Sequence, residues 1–82
     1  MYDYGYVFNK IDGDCVAWFE ALEDAELYAK LKNRRLGYEL FEAESTNLTL
    51  EKLRAIELGD VEPTLELLSE GRYPLKNPRY HS

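Results

Sequence analysis

The chain has 82 residues, 45% hydrophobic and 13% aromatic, and a formal net charge of −6. That is one small domain with enough apolar side chains for a core, which excludes a disordered chain. The single cysteine, Cys15, excludes an internal disulfide framework, and no apolar run is long enough for a membrane span. A reducing, cytoplasmic compartment is therefore expected.

The opening stretch, YGYVFN-KIDGD-CVAWFEA, reads as two strands around a tight turn. Tyr2, Tyr4, Tyr6 and Phe8 alternate, so in a strand they form one stripe of rings. Asp12-Gly13 is the turn signal, because glycine enters the left-handed region cheaply. A two-residue Asp-Gly loop pairs Ile11 with Asp14. A three-residue Ile-Asp-Gly loop with a bulge at Gly13 pairs Lys10 with Asp14. The second register is preferred, because it sets opposite charges across from each other. It also places Phe8 opposite Val16 and Tyr6 opposite Trp18, pairs that stabilise by about 0.2–1 kcal/mol each. One face then carries Tyr4, Tyr6, Phe8, Val16 and Trp18. The other carries Gly5, Val7, Cys15, Ala17 and Phe19, flat enough for a helix to approach. Phe8 and Val16 are expected beneath the C-terminal helices or tail, with Tyr2, Tyr4 and Trp18 partly exposed.

ALEDAELYAKLKNRR predicts a helix over 21–35. Glu23 and Asp24 stand in its first turn and Lys30, Lys32, Arg34 and Arg35 toward its end, which complements the helix dipole. Leu22, Ala25, Tyr28 and Ala29 share a face that Leu27 and Leu31 widen. Gly37 stops this helix. LGYELFEAE predicts a third strand, with Tyr38 and Leu40 on one face and Phe41 and Ala43 on the other. Ser45, Thr46, Asn47 and Thr49 are candidate caps for a helix that buries Leu50, Leu53 and Ile56 and stops at Gly59. DVEPTLELLSEG predicts a shorter helix with Pro63 in its first turn, Leu65 and Leu68 inward, and Gly71 closing it. Residues 72–82 form an extended tail, because Pro74 and Pro78 forbid regular pairing. Order there would come from Tyr73 and Leu75 docking on the body.

The sum is an α+β domain over residues 1–71. A three-stranded antiparallel sheet packs with one main helix, and two short C-terminal helices and the tail over 72–82 follow.

The charges are unevenly spread. All 16 acidic residues lie at or before Glu70, against seven basic ones there, a body of −9. Such a body repels phosphates, which argues against simple direct nucleic-acid binding, and it suits attraction to a basic protein surface. Acidity that merely keeps a small protein soluble accounts for the charge equally well.

Signatures for chemistry are sparse. Asp12-Gly13-Asp14 lacks the remaining ligands of a calcium loop and reads as a turn. Cys15 has only His81, in the tail, as a candidate base, and one Cys with one His makes no zinc site. Glu39, Glu42, Glu44 and Glu51 read as the charged edge of a solvated strand rather than an acid–base pair in a cleft. No catalytic residue, metal site or cofactor is expected.

The stretch LTLEKLRAIELGDVEPTLELL resembles the later helices of repressor-type helix-turn-helix domains. It carries Ile56-Glu57-Leu58-Gly59 at a helix end and Pro63-Thr64-Leu65-Glu66 at the next start. The resemblance covers about a quarter of the chain and implies a DNA-binding regulator using residues 48–68. It requires 37–44 to be helical and sets Glu51 and Glu57 beside Lys52 and Arg54. The reading placed ahead of it is a non-enzymatic, acidic protein-binding module. In size and charge the chain looks like phage-type anti-CRISPR or anti-restriction inhibitors, whose carboxylates stand in for phosphates in a basic groove of a nucleic-acid-processing complex. The acidic candidates are Glu23, Asp24, Glu26, Glu39, Glu42 and Glu44. The aromatic anchors are Tyr2, Tyr4 and Trp18. Self-association through the sheet, as a homodimer, is compatible with the same aromatics.

Overall fold

A computed structural model describes residues 4–47, 49–59 and 61–75. Strands β1 (Tyr4–Asn9) and β2 (Cys15–Phe19) form the hairpin. Helix α1 (Leu22–Leu36), strand β3 (Phe41–Thr46) and the short helices α2 (Leu50–Arg54) and α3 (Leu65–Ser69) follow. The sheet is antiparallel with order β2-β1-β3, so the aromatic strand is its centre. This is the α+β arrangement that the hydrophobic spacing implies.

Gly13 takes φ 78°, as the turn requires. The loop nevertheless closes one residue earlier than expected. The Gly13 N–H donates to the Asn9 carbonyl (2.7 Å) and the Asn9 N–H to the Asp14 carbonyl (2.9 Å), so Asn9, not Lys10, stands opposite Asp14. A second irregularity between Val7 and Phe8 then restores the register. Phe8 pairs with Cys15, Val7 with Ala17, and Tyr6 with Trp18. The Tyr6–Trp18 pairing holds, whereas the Phe8–Val16 pairing is replaced. Val16 is the extra residue of a bulge. It joins the buried core, and half-buried Cys15 moves opposite Phe8.

One face of the sheet meets α1. Val7, Val16, Ala17 and Phe19 pack with Ala25, Tyr28, Ala29 and Leu31, and the Phe19 and Tyr28 rings lie 5.5 Å apart. Each fully buried large apolar side chain contributes about 1.5–3 kcal/mol. The helix comes very close at Gly5, where a Cβ would lie 2.6 Å from Leu22 Cα and 2.8 Å from Ala25 Cβ. Gly37 ends α1 at φ 87°, its N–H on the Asn33 carbonyl.

β3 starts at Phe41 rather than at the residues just after Gly37, and Tyr38 is exposed. Asn33 of α1 explains the late start. Its Oδ1 accepts from the Leu40 and Phe41 N–H groups (2.9 and 2.8 Å), and its Nδ2 donates to the Phe41 carbonyl (2.9 Å). Residues 41–46 are thus extended where the helix-turn-helix resemblance needs a helix.

Described segments that follow β3 reach the free edge of β2 at two points. Thr49 caps α2 and Thr64 caps α3, each hydroxyl accepting from the N–H three residues on. The Gly59 N–H donates to the Cys15 carbonyl (3.1 Å) and the Leu75 N–H to the Trp18 carbonyl (2.7 Å), which blunts that edge. The Tyr28 hydroxyl donates to the Glu62 carbonyl (3.0 Å) from the α1 side. Leu53 and Leu67 are fully buried. Leu65, 78% exposed, and Leu68, 38% exposed, are the outward side chains of α3, opposite to expectation. With Thr64 as the cap, Leu67 takes the inward position and Pro63 precedes the helix. Pro74, rather than exposed Tyr73, docks the start of the tail. Residues 76–82, with Pro78 and His81, lie outside the described residues.

Candidate functional site

The face of the sheet away from α1 carries the aromatic stripe. β3 pairs with β1 so that Tyr4 faces Thr46, Tyr6 faces Glu44, and Phe8 faces Glu42. Two of the sequence-derived carboxylates therefore stand beside two rings. Tyr6 and Phe8 lie 5.6 Å apart and are each partly exposed, while Glu42 and Glu44 are exposed. The Tyr6 hydroxyl donates to Glu44 Oε2 at 3.0 Å, which fixes that carboxylate on the sheet. Partial burial raises the Tyr6 pKa above its usual value, and the hydrogen bond and charge of Glu44 raise it further.

On the β2 side, Tyr6 and Cys15 face Leu53, Ile56 and Gly59 across a shallow cleft of about 530 Å³, with Asp14 and Glu57 at its rim. Burial pushes the Cys15 thiol up to about 11, so it stays a thiol at neutral pH rather than a nucleophile. Among the described residues no group of three His, Cys, Asp or Glu side chains could hold a metal ion, and no helix is long and apolar enough to cross a membrane.

The remaining candidates do not gather at the rings. Glu23 is exposed near the start of α1, and Asp24 is held by Arg72 at 3.1 Å. Glu26 and Glu39 line a second groove, of about 690 Å³, between α1 and β3, which Glu42 also reaches. Lys10, Lys30 and Arg34 line it too, so this groove holds equal numbers of carboxylates and cations. Lys32 lies over the Tyr28 and Phe41 rings at 5.8 and 5.4 Å.

Trp18 is 1% exposed, with Tyr4 edge-on to it at 6.4 Å. The expectation of a partly exposed Trp18 is therefore corrected, and the backbone at that point is paired, the Leu75 N–H donating to the Trp18 carbonyl. Its Nε1 has no hydrogen-bond partner among the described residues. Tyr4 is partly exposed, and Tyr2 lies outside the described residues. The partly exposed rings of this face are thus Tyr4, Tyr6 and Phe8, of which the sequence pattern singled out only Tyr4 as an anchor. Only the pairing of β3 with β1 sets Tyr6 and Phe8 against carboxylates. Comparison with known protein families, curated proteins and solved structures gives no match.

Proposed function

We propose that this is a non-enzymatic module that binds a basic protein surface, with carboxylates taking the place that nucleic-acid phosphates occupy there. The observation that supports it best is the paired arrangement on β3. Glu42 and Glu44 project beside the Tyr6–Phe8 rings, and Glu44 is fixed by the Tyr6 hydroxyl. An arginine or lysine entering between them meets two carboxylates and a ring face at once. The body charge of −9 steers such a partner in from a distance. An inhibitor of a nucleic-acid-processing complex, of the anti-restriction or anti-CRISPR type, is the role that this chemistry serves.

The test is capture of partners from the native host on the immobilised full chain at 50 mM salt. A basic partner that elutes as salt rises to 500 mM, and that the Glu42→Gln/Glu44→Gln variant holds about two- to thirtyfold less tightly, supports the reading. Capture that is indifferent to both salt and the double substitution overturns it.

A further inference from the structure

β3 is an open edge, and its backbone is already half prepared for another strand. The odd-numbered residues of β1 bond toward β2, as the two Asn9 bonds show, and the even-numbered ones toward β3, as the Lys10 N–H to the Leu40 carbonyl (2.9 Å) shows. On β3 the partners Glu42, Glu44 and Thr46 therefore bond inward. Phe41, Ala43 and Ser45 direct their N–H and C=O groups outward. The Asn33 amide takes both backbone groups of Phe41, in the manner of one rung of a fourth strand. Nothing among the described residues pairs with the backbone of Ala43 or Ser45. The groove between α1 and β3 runs along this edge, with Ala29, Lys30 and Asn33 on its helix wall and Phe41 and Ala43 on its strand wall.

Resting on the protein-binding reading above, we propose that this groove takes an extended segment of the partner as a fourth strand, with lysine or arginine alternating with small apolar residues. Strand addition beside a helix supplies affinity through main-chain bonds and specificity through alternate side chains. The residues of the incoming strand on the open-face side meet Glu42 and Glu44 and must be basic. Those on the other side meet Ala29 and Ala43 and must be small. Lys30 and Arg34 repel a segment that is basic at every position. A second copy of this chain is disfavoured, because an antiparallel β3–β3 pair sets the Glu42 and Glu44 carboxylates of one copy against those of the other.

The experiment uses the ¹⁵N-labelled full chain and a blocked Lys-Val-Lys-Val-Lys peptide, with Glu-Val-Glu-Val-Glu and a five-lysine peptide as comparators. In the free protein the Ala43 and Ser45 amides exchange quickly and those of Glu42, Glu44 and Thr46 slowly. The alternating basic peptide slows Ala43 and Ser45 selectively, and the comparators do not. Ser45→Pro removes an outward donor without breaking a bond to β1, and weakens binding about tenfold. Retained protection of Glu44 and Thr46 shows that the variant is folded. If it is not, the wild-type exchange pattern decides alone. Shifts confined to the Tyr6–Phe8 face and unaltered by Ser45→Pro overturn strand addition while leaving the protein-binding reading intact. No response at millimolar peptide also overturns strand addition, and the capture experiment, which uses no peptide, judges the parent reading separately.

Discussion

Gly5→Ala isolates the close approach of α1 to β1. The added methyl would sit 2.6 Å from Leu22 Cα, 2.8 Å from Ala25 Cβ and 2.9 Å from the Ala21 carbonyl oxygen. Carbon atoms in contact normally lie about 3.5–4.0 Å apart, so the overlap is about 1 Å. Two of the three obstacles are backbone atoms, and rotamer changes cannot relieve them. The first turn of α1 must lift from β1, loosening Ala25 and Tyr28 behind it. Overpacking of this kind costs about 1–3 kcal/mol or more, against a gain of about 0.4–1 kcal/mol from a stiffer unfolded chain. A net loss of about 2 kcal/mol is expected, from a total of about 4–12 kcal/mol for a chain this long. The melting temperature should fall by about 8–16 °C. Gly59 is the internal control. A Cβ there meets the Cys15 carbonyl oxygen and Val16 Cγ1 at an ordinary 3.8 Å, and its φ is not positive. Gly59→Ala should leave stability within about 0.5 kcal/mol of wild type. Urea unfolding monitored by circular dichroism measures both. If Gly5→Ala lies within about 0.5 kcal/mol of wild type, or Gly59→Ala loses as much as Gly5→Ala, the helix–strand contact is not what holds α1 in place.

The burial pattern of α3 gives a second contrast: Leu67→Ala should cost about 2–4 kcal/mol in the same urea assay and Leu65→Ala less than about 0.5, and equal losses would reverse the facing of that helix. The raised Cys15 pKa predicts that the native state holds its thiol proton longer than the unfolded chain. Stability should therefore decline as pH rises from about 9 toward about 11, and Cys15→Ala should flatten that decline; an unchanged alkaline slope would contradict it. The same thiol should react slowly with a disulfide reagent at pH 8, where a thiol with a pKa of about 11 is about one part in a thousand thiolate.

Local signals carry most of the architecture. Alternating rings make β1 a strand, Gly13 makes a turn, and the charge order of α1 with Gly37 at its end bounds the helix. These features act within a few residues, so they are visible without the fold. The bulge at Val16 is different. It follows from closing the loop at Asn9 and Asp14 while keeping Tyr6 opposite Trp18, a compromise between two distant ends of one hairpin. The inward side of α3 depends on Thr64, not an earlier residue, acting as the cap, and a shift of one or two residues in a five-residue helix changes which leucine is buried. Trp18 is buried, and its carbonyl pairs with chain that arrives 57 residues later, at Leu75. Among the candidate residues, Glu42 and Glu44 lie side by side as strand spacing implies. Their association with Tyr6 and Phe8 needs the strand order β2-β1-β3, and the groove to which Glu26 and Glu39 belong needs α1 laid along β3. No periodicity in the chain encodes either arrangement.

If the acidic face takes a surface meant for nucleic acid, as proposed, this protein and that nucleic acid compete for one partner. Take a captured partner and a labelled duplex or single strand that it binds, and titrate in the full chain at 100 mM salt. Stoichiometric displacement of the nucleic acid is expected, with the midpoint shifted about two- to thirtyfold upward by Glu42→Gln/Glu44→Gln. A ternary complex, in which the partner holds this protein and its nucleic acid together with neither affinity changed, would contradict it.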